Sequence, residues 1–304
     1  MNDTQNGSAA PAARPVLADD LLRFTWIADP RMSPDGARVA LTRVWVDAAA
    51  DAYRTALSLS DAGATIGNVR PLTFGPKDAQ PRWSPDGAFL AFVRSPGGKE
   101  PAQLCVLPLA GGEARQVCKL AKGASEPAWS PDGRRIAFLS GTNPALDEPE
   151  KEKPKHEPGR IVTQPVFRVN DEGFLDFEHM SQVWVVEVEA GTPRPLTSGP
   201  FAAGAPRWSA DGERILFVSD RRPEPWFGLE ASVLYAVASA RDTPAATDDL
   251  EVVIDHGGTV ASFVAHSDGR IATLGFLNPP EPRTYVGSRL LVAGSAGEGR
   301  LGKR

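Results

Sequence analysis

Apolar and polar residues alternate over short stretches of this chain, and turns rich in Gly and Pro separate the stretches. A period of two is typical of a β-strand, and a continuous apolar run such as Ile136–Leu139 suits a strand buried on both faces. The composition of 29 Gly and 28 Pro in 304 residues agrees, because both residues favour tight turns over long helices. The pattern predicts an all-β chain of many short strands.

One turn motif recurs along the chain. Its full copies contain Pro, a variable residue, Trp or Met, Ser, Pro or Ala, Asp and Gly, and they span Pro30–Gly36, Pro81–Gly87, Pro127–Gly133 and Pro206–Gly212. A degenerate fifth copy, His266–Gly269, lacks the Trp and the Pro. Pro presets φ at the second turn position, Ser and Asp can hydrogen-bond turn amides, and Gly suits the last position of a type I turn. Each copy is therefore predicted to join two strands of a hairpin.

A second kind of turn, centred on Gly, lies between successive copies of the motif. Gly111–Gly112 follows the apolar run Gln103–Leu107, and Gly191 follows Gln182–Val188. Each repeating unit thus has four strands, two around the motif and two around the Gly turn. The motif serines at positions 33, 84, 130 and 209 stand 51, 46 and 79 residues apart. Four strands every ~40–50 residues is the period of a β-propeller blade, whereas a sandwich does not repeat its turns so regularly.

These spacings predict the domain organisation. Residues 1–16 form a flexible tail, and residues 17–304 form a propeller with blades at 17–75, 76–121, 122–199, 200–256 and a partial fifth at 257–304. The longest step between motifs contains an insertion at 141–160 with four prolines and alternating Glu and Lys. Such a segment has little apolar surface to bury, so it is predicted to be a solvated, dispensable loop.

The repeated motif resembles the propeller of the prolyl oligopeptidase family of serine peptidases, and most of all its acylaminoacyl-peptidase and dipeptidyl-aminopeptidase branch. The opening segment Asp20–Gly36 and the segment Phe167–Phe174 after the charged insertion resemble that branch as well, and the resemblance extends over residues 17–293. It implies a propeller of seven blades followed by an α/β-hydrolase domain that carries Ser, Asp and His in that order.

The chain departs from that family in two respects. It holds about five blades, and it contains no Gly-x-Ser-x-Gly, since the nearest approach, Ala293–Gly297, has Ala in place of the first Gly. We therefore expect a propeller truncated before the hydrolase domain, without catalytic residues of its own, that gates and selects substrates. Full-length relatives would be serine exopeptidases or oligopeptidases. The alternative is a stand-alone protein-interaction propeller like that of the Tol system, which shares the turn motif.

Charge, hydropathy and cysteine content limit the classes of partner and the cellular location that we expect. With 33 Lys and Arg against 38 Asp and Glu, the net charge of −5 disfavours a nucleic-acid partner, because such binding depends on a basic field. No apolar run approaches the roughly 18 residues of a membrane span, and the polar start, Met1–Pro15, has no signal-peptide core. Two cysteines are no disulfide framework, and buried thiols are favoured for Cys105 and Cys118, although an unbulged hairpin would place them opposite each other. The expected location is the cytoplasm.

Arg168 and Glu172 are the candidate substrate-binding residues. Family members anchor a peptide terminus partly with charged propeller residues, and Arg offers a two-pronged donor to a carboxylate or carbonyl. A surface ion pair with the neighbouring insertion explains both residues equally well. No metal or other cofactor is expected, because the four histidines form no zinc-ligand spacing. The small cluster Asp176, Glu178 and His179 is taken as a solvated loop.

Two residue types that recur in the motif are predicted to have structural rather than functional roles. The motif tryptophans Trp83, Trp129 and Trp208 recur at one position of each unit, which predicts packing between neighbouring blades. The motif aspartates are predicted to cap their own turns, and they are Asp35, Asp86, Asp132 and Asp211.

The expected partners are a peptide substrate or a hydrolase domain, together with a second copy of the chain. Blades of a repeat protein are stabilised by their neighbours. Five blades with the curvature of a seven-blade ring would leave two uncovered apolar faces, which favours self-association. A closed ring of five blades is the alternative.

Overall fold

A computed structural model describes residues 14–63, 69–75, 77–98, 100–147, 162, 165–169, 173–266, 268–278 and 287–293. Within these ranges the chain forms β-strands, turns and four short 3₁₀ helices, and none of the described residues is in an α-helix. The prediction of an all-β chain is therefore confirmed. None of the helices described is long and apolar enough to cross a membrane.

Most strands fall into sequential units in which antiparallel neighbours follow chain order. The first two units comprise β1 (Thr25–Met32), β2 (Arg38–Asp47), β3 (Ala52–Asp61) and β4 (Arg70–Pro71), then β5 (Lys77–Trp83), β6 (Phe89–Ser95), β7 (Gln103–Pro108) and β8 (Arg115–Gln116). The third comprises β9 (Ser125–Trp129), β10 (Arg135–Ser140), β13 (Gln182–Glu187) and β14 (Pro193–Pro195), with a separate hairpin of β11 (Arg168–Val169) and β12 (Gly173–Phe174) inserted between β10 and β13. The last two comprise β15 (Ala203–Trp208), β16 (Arg214–Ser219), β17 (Val233–Ala238) and β18 (Glu251–Ile254), then β19 (Gly258–Ala265), β20 (Ile271–Leu277) and β21 (Arg289–Ala293).

The four-stranded unit predicted from the turn spacing is thus present in several copies. The first and second units are joined into one sheet by a parallel bridge between Thr55 and Lys77, and the third and fourth are separate four-stranded sheets. The fifth shows three strands among the described residues. The number of blades in a complete ring stays a prediction.

The repeated motif forms the turn that its residues predict. In the second unit the amide of Gly87 donates to the carbonyl of Ser84 at 2.9 Å, and Gly87 has a φ of +70°. The hydroxyl of Ser84 donates to Asp86 at 2.5 Å and accepts from the amide of Phe89 at 2.9 Å. Asp86 also accepts from the amide of Ala88 at 3.0 Å. The same bonds recur around Ser33, Ser130 and Ser209, which confirms that the motif aspartates cap their own turns.

The motif tryptophans link each unit to the one before it. The indole of Trp83 donates to the carbonyl of Arg31 at 2.9 Å, that of Trp129 to Arg82 at 3.0 Å, and that of Trp208 to Ala128 at 2.9 Å. Each acceptor residue lies near the end of the preceding inner strand. The prediction that these side chains pack between neighbouring units is confirmed, and the hydrogen bond adds direction to the packing.

The hydrophobic core lies between consecutive sheets. Val183, Val185 and Leu196 of the third unit pack with Ile215 and Phe217 of the fourth in one buried cluster. Equivalent clusters join the second unit to the third and the fourth to the fifth. Burial of apolar surface is the largest favourable contribution to folding, so each sheet is stabilised by having neighbours.

The outer faces at the two ends of the array are exposed. On the first unit, Ile27 and Met32 share one face and are 61% and 58% exposed. On the fifth unit, four apolar side chains share the face away from the fourth unit, namely Val264, Leu274, Leu290 and Val292, with exposures between 44% and 70%.

The described part of the insertion is not wholly solvated. Thr142 is buried, and its hydroxyl accepts from the amide of Lys122 at 3.0 Å. The amide side chain of Asn143 donates to the carbonyl of Glu178 at 3.0 Å. The expectation of a solvated loop therefore does not apply to its first residues, because their polar groups are used in packing, and residues 148–160 lie outside the described residues.

Both cysteines are free and buried, as predicted. Cys105 pairs across the hairpin with Gln116, so Cys118 does not lie opposite it. Burial raises the pKa of each thiol to about 11, which leaves both thiols protonated and unreactive near neutral pH.

Replacing Trp208 by Phe tests the link between units. The change removes the bond to the carbonyl of Ala128 and leaves that carbonyl without its donor, so we expect a loss of about 1–2 kcal/mol in the free energy of unfolding. Urea denaturation measures the loss. Trp26→Phe is the matched control, because Trp26 is 41% exposed, and its effect should stay within about 0.5 kcal/mol. Equal effects of the two substitutions would contradict the link.

The turn aspartates predict a specific acid sensitivity. Hydrogen bonds from the motif serines, and then from turn amides, lower the pKa of Asp86, Asp132 and Asp211 in the folded chain. A lowered folded pKa contributes stability above the unfolded value of about 3.9 and loses it as pH falls through the folded value. The urea midpoint should therefore drop below about pH 4. The triple variant Asp86→Asn, Asp132→Asn, Asp211→Asn should show a smaller drop in the urea midpoint. If the midpoint of the variant falls with pH as steeply as that of the natural chain, the turn aspartates are not the cause.

Candidate functional site

Two concave regions lie at opposite ends of the strands. The inner strands β1, β5, β9 and β15 run into the motif turns, and a cavity of about 640 Å³ lies at this end. We call it the turn-end cavity. Its wall contains the three motif tryptophans, the turn residues Pro34, Pro85 and Pro131, the fifth-unit residues Phe263–His266, and the guanidinium-bearing residues Arg31, Arg82 and Arg207.

A bulge in each inner strand shapes this end of the molecule. The residue before the motif proline has a positive φ between +48° and +59° in the first four units, and these residues are Asp29, Gln80, Glu126 and Ala205. The pairing register shifts at the same place in each strand. A side chain in this left-handed region costs about 1–2 kcal/mol, so its recurrence requires compensating contacts.

Three of these four side chains, all but that of Ala205, supply such contacts by reaching the next unit. Oε1 of Gln80 accepts from the amide of Glu126 at 2.7 Å, and Oε2 of Glu126 accepts from the amide of Ala205 at 2.9 Å. Asp29 accepts from Arg82 of the second unit at 2.6 Å and also pairs with Arg31 at 2.5 Å. Side chains at the bulges therefore connect successive units alongside the tryptophan bonds.

The fifth unit lacks both kinds of link. Ala265 stands where the second, third and fourth units carry Trp, and Ala205 has no side-chain acceptor to offer its neighbour. The fourth and fifth units are held instead by buried apolar residues and by bonds at the other end, such as Ser232 Oγ accepting from the amide of Val260 at 2.8 Å. The turn-end cavity extends into the space that an indole fills elsewhere.

The arginines of the cavity differ in their partners. Arg82 is 17% exposed and bound to Asp29. Arg207 makes no ion pair with any described residue, and Nη1 donates to the carbonyl of Pro206 at 2.8 Å. Burial lowers the pKa of Arg207, and the positive charges of Arg82 and Arg31 lower it further. The cavity thus holds a guanidinium whose charge the described residues do not neutralise by contact.

The serine hydroxyls in the cavity wall are already committed to the turns. Ser84 and Ser209 each donate to the motif aspartate of their own turn at 2.5 Å. A hydroxyl held in this way by an acidic residue is a structural donor, and no histidine bonds to either of these two in the structure.

The second region, the loop-end pocket, lies at the opposite end of the sheets and has a volume of about 520 Å³. Apolar and aromatic residues dominate its wall, among them Val166, Leu175, Phe177, Met180, Phe201 and Trp226. Arg222 and Asp220 form an ion pair of 2.6 Å at its edge. Behind Phe201 lies Arg221, which is 6% exposed and sits 5.6 Å from that ring.

The two candidate substrate residues of the sequence are only partly described. Arg168 is exposed, on the β11–β12 hairpin, with its guanidinium 6.0 Å from the ring of Phe174. The hairpin is continuous with Val166 and Leu175 of the loop-end pocket. Glu172 lies outside the described residues, so the pairing of Arg168 with Glu172 at a site stays a prediction.

The histidine of the polar cluster near the insertion is less exposed than the expectation of a solvated loop implies. His179 is 16% exposed and bridges Asp176 at 2.7 Å and Asp147 at 3.2 Å. Within the part of the chain that the structure describes, no group of three or more His, Cys, Asp or Glu side chains is arranged to hold a metal ion.

Sequence reasoning missed the arginines of the turn-end cavity. The signal was the variable motif position, which is Arg in Pro30-Arg31, Pro81-Arg82 and Pro206-Arg207 and Ala128 in the third unit. Equivalent positions of neighbouring units converge at the end of the inner strands, so a residue type repeated there is brought to one place.

No family model matches this chain. One curated relative does, the uncharacterized peptidase YuxL of Bacillus subtilis (strain 168), which is 32% identical over 206 residues. The match covers 66% of this chain and 31% of the relative, so the chain corresponds to less than a third of that protein.

Solved structures agree on the fold. A putative TolB from Agrobacterium tumefaciens superposes with a TM-score of 0.58 at 16% identity, covering 90% of this chain and 79% of that one. The β-propeller domain of the Trilobed protease from Pyrococcus furiosus superposes with a TM-score of 0.54. The acylaminoacyl peptidase of Pyrococcus horikoshii superposes with a TM-score of 0.53, and both structures are 16% identical to this chain in sequence. These matches cover 91% and 90% of this chain, and 70% and 46% of those chains. Prolyl oligopeptidase B from Galerina marginata superposes with a TM-score of 0.54 at 12% identity, covering 93% of this chain and 35% of that one. The chain is a β-propeller similar to the propellers of acylaminoacyl peptidase and prolyl oligopeptidase.

Proposed function

We propose that this propeller is the non-catalytic, substrate-selecting part of a serine peptidase of the prolyl oligopeptidase kind, acting in the cytoplasm. The observation that carries the proposal is the 32% identity with a peptidase over 206 residues. The fold likeness to acylaminoacyl peptidase supports it, since 90% of this chain superposes on 46% of that one. Hydrolysis would then be performed by an α/β-hydrolase domain, in the same polypeptide or a separate one.

The propeller fold supports a role in substrate selection. A ring of packed sheets placed over an active site admits an extended or short peptide and excludes a folded protein on size. The loop-end pocket supports a role in selection, because aromatic and apolar walls with an ion pair at the edge suit an apolar peptide side chain. Arg168 and Glu172 would bind substrate beside it, with Arg168 donating to a carbonyl or carboxylate.

The second candidate is a stand-alone interaction propeller. The putative TolB structure favours it in one respect, because 79% of that chain is covered, against 46% for acylaminoacyl peptidase. The coding sequence beyond the codon for Arg304 discriminates the two candidates. A region that encodes Gly-x-Ser-x-Gly in an α/β-hydrolase supports the peptidase, and a product of natural length without one supports the interaction propeller.

The 304-residue chain should show no peptidase activity alone. The described serines of the turn-end cavity serve turns, and the sequence has no nucleophile motif. Homogeneous protein is assayed with acetyl-aminoacyl and aminoacyl p-nitroanilides, using the acylaminoacyl peptidase of Pyrococcus horikoshii as a positive control. Turnover that a serine-directed phosphonate blocks would overturn this prediction.

Gating is tested separately, on the longer product if a hydrolase domain is encoded. That product should cleave a short peptide and spare a folded protein that contains the same sequence in a surface loop. Removal of residues 17–293 should abolish the discrimination, because the ring that excludes large substrates is then absent. Equal cleavage of both substrates by the intact product would contradict a gating role.

We also propose that the isolated chain self-associates head to tail. Within the chain, each sheet packs one face on the preceding unit and the other face on the following unit. The exposed face of the fifth unit corresponds to the face that contacts a following unit, and the exposed face of the first unit corresponds to the face that contacts a preceding unit. A second copy therefore offers the same contact that consecutive units make within the chain.

Light scattering after size-exclusion chromatography should show species above 32.4 kDa that increase with concentration. The double variant Val264→Lys, Leu290→Lys should reduce them, because it charges the face of the fifth unit. Val252→Lys is the control, since Val252 is 56% exposed on the fourth unit. A monomer at all concentrations, as a closed ring would give, contradicts the proposal.

A further inference from the structure

The turn-end cavity contains more positive than negative side chains. Arg31, Arg82 and Arg207 face two carboxylates, those of Asp29 and Glu126. Both oxygens of Asp29 are already paired, one with Arg31 at 2.5 Å and the other with Arg82 at 2.6 Å. Glu126 uses one oxygen on the amide of Ala205 at 2.9 Å. The excess charge therefore falls on Arg207.

The surroundings of Arg207 leave its donors available. It makes no ion pair within the described ranges, and of its donors Nη1 bonds to the carbonyl of Pro206. The side chain of Arg31 is 42% exposed and pairs with Asp29 through Nη2. Burying a guanidinium without an anion is unfavourable, and an arginine fork binds a carboxylate with two parallel bonds.

The space beside Arg207 is large enough for a ligand and is not lined by charge alone. The cavity holds about 640 Å³, and its walls include Met32, Phe263, the tryptophan rings and the turn prolines. Ala265 enlarges the cavity next to Arg207, because the second, third and fourth units place an indole at this position. A small inorganic anion would leave these apolar walls wet, whereas the end of a peptide chain covers them and presents a carboxylate.

We propose that the turn-end cavity binds the free C-terminal carboxylate of an extended peptide, with Arg207 as its principal donor and Arg31 as a second. The apolar walls take the terminal side chain. The site lies at the end of the sheets opposite to Arg168 and the loop-end pocket. It does not depend on the peptidase proposal, since either kind of propeller could hold a peptide end there.

Binding of short peptides to the 304-residue chain tests the site by calorimetry, with Trp83 and Trp129 in the cavity wall as a fluorescence readout. The probe is N-acetyl-Ala-Ala-Phe with a free carboxylate, and its C-terminal amide is the matched ligand. We expect the free acid to bind. The amide should bind at least about tenfold more weakly, since hydrogen bonds between charged groups are worth that much. Equal binding of acid and amide, or no binding of the acid at millimolar concentration, would overturn the proposal.

Arg207→Gln should remove most of the difference in affinity between the free acid and the amide, with Arg31 retaining the rest, and should leave the affinity for the amide unchanged. Arg70→Gln is the matched control, because it removes the same charge from an exposed position on β4. Arg207→Lys keeps the charge but not the fork, and should retain part of the affinity. Equal losses in the Arg207→Gln and Arg70→Gln variants would refute a specific role. If Arg207→Gln does not fold, the comparison of acid and amide on the natural chain still decides.

Two further ligands identify the source of the carboxylate. N-acetyl-Ala-Ala-Asp amide presents a side-chain carboxylate without a free terminus, and inorganic phosphate presents an anion without a peptide. Binding of either one as tight as that of the free acid would overturn a site for peptide ends. Weaker binding of both supports it. None of these measurements involves peptidase turnover, so their failure and that of the proposed function are distinguishable.

Discussion

The hydrogen bond between a motif indole and the carbonyl of the preceding inner strand is the interaction on which the arrangement of the sheets depends. It occurs at three successive junctions with lengths of 2.9–3.0 Å. Apolar burial between sheets is larger in energy but has no direction, whereas this bond fixes which residue of one sheet meets which residue of the next. The side chains of Gln80 and Glu126 reinforce the same junctions from the inner strand.

The junction that lacks these links is where the structure has room for a ligand. Without an indole at Ala265 and without a polar side chain at Ala205, the fourth and fifth units are joined through apolar packing and through Ser232. Arg207 therefore lies beside open space rather than beneath a ring. The regular links stabilise the first four units, and the junction where they are missing leaves space in which a ligand can bind.

Much of the fold could be predicted because its signals are local. The turn around Ser84, Asp86 and Gly87 forms from adjacent residues, so its hydrogen bonds follow from the motif itself. The inter-unit role of Trp208 followed from recurrence at one position. The bulge at Glu126 was not predicted, because a positive φ there is compensated by contacts with a unit 79 residues further on. The arginines of the turn-end cavity were missed for the same reason, since no short window shows Arg31 and Arg207 together.

The hydrogen exchange of individual indole N–H groups tests the account most directly, by NMR with each signal assigned through Trp→Phe variants. If the indoles of Trp83, Trp129 and Trp208 hold successive units together, their protons should exchange at least a hundredfold more slowly than that of exposed Trp26, since exchange then requires a junction to open. Exchange as fast as that of Trp26 at all three positions would show that the sheets are not joined in this way.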